Sequence, residues 1–478
     1  MTPLEIISLV CNMWYFTLLL FVVSAYYGQA YKAAVVHYYP AVGTTAEETI
    51  LKNMNEYRKY ANKAKSKGVD IIVFPEYGLV TTSALANPGE YSLEIQSPII
   101  AQIGTIARDN GVYLVVNLFE RIDDKYYNTN LVFDRNGTLI LKYHKSHLYN
   151  EFGLTPGTPN QTITFSTDFG VTFGIFTCFD MLFANPSLRV LEGGNVTDVI
   201  FVLGWLPSYI SLSIQHGYCV ANGVNLLAAN YGRHIDGRSG TGIYLSDGKV
   251  AKVVNDSVKS QLVVREVPPK SLETEKTCPR SVKEKTHTVV TTSKYYFHDV
   301  DLTKKFTSTQ LCNGNFCCTF QVTLDMRQKN PTDIYKLMIF DDSVSYDKLE
   351  ANFRICTLLA CRNEFVDSCG AMANVTSTFK RISVQGNFTK DNSTFYRPIT
   401  LHTSLSPLTP TAYCQANSSV HLGTKNQKGV IIFGIFERKD TVSERRDDID
   451  GARNSKIFLV LTWGRPYYFA FFKSSVFD

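Results

Sequence analysis

Hydrophobic and polar residues follow two different periods along the first half of the chain. "YKAAVVHYYP" (31–40) is a run of strand type. Residues 44–67 then switch to helical spacing, with Ile50, Met54, Tyr57, Ala61 and Ala64 on one stripe. Thr45 is placed to cap that helix, Glu47 and Glu48 fall in its first turn, and Gly68 stops it. "DIIVF" (70–74) predicts a short buried strand, "SPIIAQIGTIARDNG" (97–111) a helix ending at Gly111, and "VYLVVNLFE" (112–120) another strand. "NLVFDRNGTLILKYHK" (130–145) predicts a hairpin turning at Asn136-Gly137. More strands are predicted at "TITFS", "VTFGIFT" (171–177), "DVIFVLG" (198–204) and "NLLAAN" (225–230), the last two separated by a helix containing Gln215 to Gly223. Crossover helices mixed with hairpins suit a mixed sheet covered by helices, or two sheets sandwiched between helix layers.

After about residue 255 the pattern changes. Residues 256–285 are polar, charged and Pro-bearing and read as a linker. Residues 286–438 are rich in β-type runs such as "CCTFQVTLDM" and "GVIIFGIF", and 439–478 open with a charged run that reads as a flexible tail. At the other end, Met13 to Ala30 holds an apolar run closed by small residues, which reads as a secretory signal (1–30) preceding a first domain at 31–255. That run is short for a spanning helix, and "IFLVLTWGRPYYFAFF" near the C-terminus is broken by Gly464, Arg465 and Pro466, so no stable membrane span is expected. A net charge of +5 over 478 residues, without a basic run, argues against a dedicated nucleic-acid binder.

Two features support an extracellular, secreted protein. Eight of the eleven cysteines lie between Cys278 and Cys414, an even cluster that predicts four disulfides of unspecified pairing. Eight glycosylation sequons begin at Asn136, Asn160, Asn195, Asn255, Asn374, Asn387, Asn392 and Asn417. Cys178 and Cys219 stand apart from the cysteine cluster, and Cys219 reads as a buried structural thiol on a helix.

Three chemically active side chains end three predicted strands: Glu76 in "DIIVFPEYG", Lys145 in "LILKYHKSH" and Cys178 in "VTFGIFTCFD". In open α/β sheets, ligands lie at the carboxyl ends of strands. A thiol attacks carbonyls only after losing its proton, a buried carboxylate can take that proton, and an ammonium can face the oxyanion that forms. The backbone N–H of Phe179 would complete an oxyanion hole. Each residue also has a plainer reading: a small buried thiol, a solvated turn carboxylate and an exposed lysine. His144 and His147 have H-x-x-H spacing but no evident third ligand, and no metal or organic cofactor is expected. "GRSGTG" (237–242) lacks the Lys-Ser/Thr of a phosphate loop and reads as a turn.

"FPEYG", "KYHKSHLYNEFGLTPG" and "FGIFTCFDMLFANP" together resemble the glutamate, lysine and cysteine motifs of the nitrilase superfamily. "ANGVNLLAANY", "LCNGNFCCTF" and "RICTLLACRN" extend the resemblance, over about 31–438, to its biotinidase and pantetheinase (vanin) branch. The resemblance implies an α-β-β-α sandwich followed by a disulfide-rich, mostly β domain. It implies Cys178 as nucleophile, Glu76 as base, Lys145 as oxyanion stabiliser and Glu151 as a supporting glutamate. The partner it implies is a small linear amide, such as pantetheine or biocytin. The segment between Glu76 and Lys145 is shorter than in the vertebrate members of that branch, so the substrate stays open. Another amide, acyl transfer, or a non-catalytic interaction protein are the other readings.

Overall fold

The structure is a computed structural model that describes residues 30–205, 211–232, 240–254, 259–270, 285–346, 349–371, 373–388, 394–416 and 419–440. The expected signal, the 439–478 tail beyond Asp440, Cys278, the sequons at Asn255, Asn392 and Asn417, and residues 237–239 of the expected 237–242 turn lie outside the described residues, while Thr241 and Gly242 of that turn instead begin a strand.

The first unit begins with β1 (Tyr31–His37), α1 (Ala46–Lys65), β2 (Ile71–Val73), α2 (Pro98–Asn110), β3 (Tyr113–Ile122), β4 (Lys125–Phe133) and β5 (Leu139–His144). It continues with β6 (Thr164–Ser166), β7 (Thr172–Thr177), β8 (Asp198–Leu203), α3 (Ser211–Asn222), β9 (Asn225–Asn230), β10 (Thr241–Tyr244), β11 (Val250–Val254) and β12 (Gln261–Val267). Thr45 caps α1 by accepting from the Glu48 N–H at 3.1 Å. Gly111 ends α2 at φ +62°, a left-handed position that suits glycine.

These strands form two six-stranded sheets, β12-β1-β2-β3-β4-β5 and β11-β10-β9-β8-β7-β6. Each has three parallel strands at its centre, β1-β2-β3 and β7-β8-β9, flanked by antiparallel ones. Strand periodicity decides the layering. In β1, Ala33 and Val35 face the second sheet, whereas Ala34 and Val36 pack on Ile50, Met54 and Tyr57 of α1 and Ile103 of α2. Helix α3 covers the second sheet through Leu212, Tyr218 and Cys219. This is the α-β-β-α sandwich, the second of the two arrangements left open by the strand and helix order.

The polar segment at 256–285 conceals a strand. β12 pairs antiparallel with β1 over seven residues, so the first sheet reaches Val267 rather than ending near 255. Its alternation is short and set among charges: Val263 and Val267 point between the sheets, and Leu262 and Val264 towards the helices.

The second unit is a β-sandwich. Its strands are β13 (His287–Thr291), β14 (Tyr295–Asp299), β15 (Phe306–Asn313), β16 (Phe316–Leu324), β17 (Ile334–Tyr346) and β18 (Leu349–Cys361), then β19 (Thr378–Asn387), β20 (Thr394–His402), β21 (Thr411–Ala416), β22 (Ser419–Lys428) and β23 (Val430–Asp440). They form the sheets β13-β15-β16-β19-β22-β21 and β14-β17-β18-β23-β20. Disulfides join Cys312 to Cys317, Cys318 to Cys356 and Cys361 to Cys369, and Cys414 is also disulfide-bonded. In the five-stranded sheet, Leu337, Ile339 and Leu358 face the sandwich interior. The alternate residues, among them Met338, Ile399 and Phe436, join the core of the first unit. The contact with α3 is close: a Cβ on Gly217 would lie 2.1 Å from the Pro398 carbonyl oxygen.

Candidate active site

Glu76 lies three residues beyond β2, Lys145 directly beyond β5 and Cys178 directly beyond β7. The fold brings these three strand ends together. The Lys145 Nζ donates to Glu76 Oε1 at 2.8 Å and pairs with Glu151 Oε2 at 2.7 Å, and all three side chains are fully buried. Glu151 therefore sits in the centre of the site. Its Oε1 accepts from Tyr77 Oη at 2.5 Å and from Asn128 Nδ2 at 2.6 Å, and its Oε2 accepts the Tyr149 N–H at 3.1 Å.

The charges interact strongly. Burial pushes the Glu76 carboxyl above the usual carboxylate range; Lys145 opposes that push and Glu151 adds to it. Burial alone would weaken the Lys145 ammonium, yet the Cys178, Glu151 and Glu76 groups around it outweigh burial and hold it well above its ordinary value. The Cys178 thiol is raised well above its ordinary value by burial and then by the Glu76 charge, with Lys145 offsetting part of this. Among the described residues Glu76 Oε2 has no partner in ordinary hydrogen-bond geometry, and the thiol lies within interaction range of this carboxylate. The resting pair is thus a neutral thiol beside a carboxylate of raised proton affinity, which suits proton transfer during attack.

Cys178 has φ +50°, in the left-handed region that non-glycine residues seldom occupy. Such a conformation costs on the order of 1–3 kcal/mol and persists only where its surroundings enforce it. A 3-10 turn, Cys178–Leu182, follows at once. Asp180 in that turn reaches back to accept the Thr177 N–H at 3.1 Å, and also accepts Tyr143 Oη at 2.6 Å and the His147 N–H at 2.8 Å. Phe179 follows the thiol in this turn and packs in a small aromatic group with Phe183 and Tyr149.

An amide ladder absent from the sequence reading links the parts. Asn117 of β3 accepts the Tyr77 N–H at 2.9 Å and donates to Asn128 and Asn130 of β4 at 2.7 and 2.8 Å. Asn128 donates to Glu76 Oε1 at 2.8 Å, and Asn130 donates to Thr177 Oγ1, next to the thiol, at 2.8 Å. The available signal was asparagine inside otherwise apolar strands, where an unpaired amide is costly. The two histidines of the H-x-x-H diverge: His144 meets Glu120 at 2.7 Å and His147 meets Asp180 at 3.0 Å. Cys219 lies on α3, fully buried, with Sγ 2.7 Å from the Val224 carbonyl oxygen.

Two family models match this chain: Carbon-nitrogen hydrolase over residues 32–274 and Vanin C-terminal domain over 284–442. Vanin-like protein 1 of Drosophila melanogaster is 29% identical over 84% of this chain and 84% of its own. Vanin-like protein 3 of the same organism is 31% identical over 81% of this chain and 83% of its own. A pantetheinase of Canis lupus familiaris is 27% identical over 77% and 79%. With the first model spanning more than half the sequence and the second occupying the β-sandwich that follows, the chain belongs to the carbon-nitrogen hydrolase family of the nitrilase superfamily, in its vanin-like branch.

Proposed function

We propose that Cys178 is the nucleophile of an amidase, Glu76 its general base and acid, and Lys145 the cation facing the oxyanion, with pantetheine as substrate. The observation that carries this reading is the buried Glu76–Lys145–Glu151 network meeting a strained, unbridged thiol at three strand ends. The substrate rests on the likeness to proteins named pantetheinase.

The reaction follows from the groups present. Glu76 takes the thiol proton as Sγ bonds to the amide carbonyl carbon, and the carbonyl electron pair moves to oxygen beside the Lys145 ammonium and the Phe179 N–H. The C–N bond then breaks, Glu76 returns its proton to the leaving nitrogen, and cysteamine departs. Water, losing a proton to Glu76, attacks the thioester carbon. The C–S bond breaks, pantothenate leaves, and the proton returns to the thiolate. Glu151 holds Lys145 in place throughout.

Secretion belongs to the same proposal. The signal-like N-terminus, the disulfides and five described sequon asparagines that are all exposed (Asn136, Asn160, Asn195, Asn374 and Asn387) support it. Among the described residues no helix is long and apolar enough to cross a membrane.

The test is cysteamine release from pantetheine by the purified protein, beside Cys178→Ser, with biocytin as a parallel substrate. Release by the wild type and not by the variant is expected. Turnover of biocytin alone would keep the mechanism and replace the substrate. Inactivity on both amides with an unreactive Cys178 would overturn the reading.

A further inference from the structure

The strained turn that carries Cys178 is held from two sides. Asp180 secures its beginning from within the first unit. Its end is held by the second unit. The Arg397 guanidinium of β20 donates from Nη1 to the Met181 carbonyl oxygen at 2.7 Å and from Nη2 to Ser187 Oγ at 3.0 Å. Arg438 of β23 donates to the Leu182 carbonyl oxygen, and its guanidinium lies 3.9 Å from the centre of the Phe183 ring. That ring stacks on His147 at 3.6 Å, and His147 bonds Asp180.

Both arginines occupy apolar positions. Along β20, Phe395, Arg397, Ile399 and Leu401 alternate towards the first unit, and along β23, Ile432, Phe436 and Arg438 do the same. Arg397 is 0% exposed and Arg438 3%. A buried guanidinium is costly unless its donors meet acceptors. Here the acceptors include the last carbonyls of the nucleophile's turn, groups that such a turn leaves without partners of its own.

We propose that the β-sandwich is a working part of the catalytic apparatus: Arg397 and Arg438 are positioning residues that hold the Cys178 turn in its reactive conformation from a separate unit of the chain. The proposal rests on Cys178 being the nucleophile. They act through the Met181 and Leu182 carbonyls, which fix the peptide planes of the turn and so the direction of the thiol and of the Phe179 N–H.

The experiment uses the full chain and compares Arg397→Met, Arg397→Lys, Arg438→Met and Ile399→Ala. Three quantities are read: kcat and KM for amide hydrolysis, the rate of Cys178 alkylation by iodoacetamide across pH, and the unfolding temperature. Misplacing a reacting group by about 1 Å costs on the order of 100-fold in rate. Arg397→Met and Arg438→Met are therefore expected to lower kcat by about 10–100-fold with little change in KM, and to shift the pH profile of alkylation. Arg397→Lys, which keeps a charge and can still reach one acceptor, should recover part of the rate; it also serves if Arg397→Met does not fold. Ile399→Ala removes packing from the same strand face and should lower the unfolding temperature while leaving kcat and the alkylation profile unchanged. Wild-type kcat and alkylation in both arginine variants would overturn the proposal, as would an equal kcat loss in Ile399→Ala. A wild type that hydrolyses no amide and is not alkylated at Cys178 would instead remove the nucleophile assignment beneath it.

Discussion

Glu151→Gln is the most informative single substitution in the site, because it changes charge and almost no shape. The Glu151 carboxylate receives hydrogens from four donors, two on each oxygen: Tyr77 Oη and Asn128 Nδ2 on Oε1, Lys145 Nζ and the Tyr149 N–H on Oε2. Glutamine offers one oxygen and one NH2; with its oxygen towards Lys145 and the Tyr149 N–H, the NH2 faces Tyr77 Oη, which can turn to accept, and Asn128 Nδ2, which cannot. Hydrogen bonds to a charged group contribute roughly 1.5–3 kcal/mol each, so losing the Asn128 bond costs about 1.5–3 kcal/mol. For a unit of this size that lowers the unfolding transition by roughly 3–12 °C. Lys145 keeps Glu76 as a partner but faces a neutral amide in place of the second charge that fixes its direction. Loss of one oxyanion donor lowers kcat by about 10²–10³-fold, and because the interaction forms in the transition state KM should change little. Steady-state kinetics on the amide, paired with thermal unfolding by circular dichroism, checks both effects. A Glu151→Gln enzyme with kcat within about threefold of wild type would refute the reasoning, since Lys145 would then need no second carboxylate.

Glu76→Gln should separate two properties that a damaged fold would lose together. Without the Glu76 charge the thiol is less raised, so alkylation of Cys178 should move to lower pH, while amide turnover falls by about 10²–10⁴-fold for want of a base. Parallel loss of both would count against Glu76 as base. His216 is buried, meets the Gly248 carbonyl oxygen at 2.7 Å, and is held below its ordinary 6.5 by burial. The unfolded chain therefore binds the extra proton first, and this contribution to stability is lost as pH falls below 6.5. Thermal unfolding at pH 7 and pH 5 should show a smaller acid loss in His216→Gln than in wild type; equal losses would exclude His216 as a source. Replacing Cys318 and Cys356 by alanine opens a loop of 38 residues between the two sheets of the sandwich. The chain-entropy account gives a cost of about 4 kcal/mol, and an unchanged denaturation midpoint would show that the bridge is energetically idle.

The sequence by itself determined the local structure and the chemical parts. Helical and strand periods placed α1, α2 and most strands of the first unit, because apolar stripes of period 3.6 and 2 are local properties of the chain. Polarity hid β12, whose strand character shows only beside β1. The thiol, carboxylate and ammonium were legible because each ends a predicted strand, and strand ends are where such sheets bind ligands. Tertiary structure decided the rest. Glu76 and Lys145 are 69 residues apart and meet at 2.8 Å only because β2 and β5 belong to one sheet with parallel and antiparallel pairings no local pattern specifies. The central place of Glu151, the asparagine ladder and the arginines of the β-sandwich are likewise products of packing. A buried amide or guanidinium is tolerated only where acceptors wait, and those acceptors come from strands distant in sequence, so their position could be known only once the sheets had closed on one another.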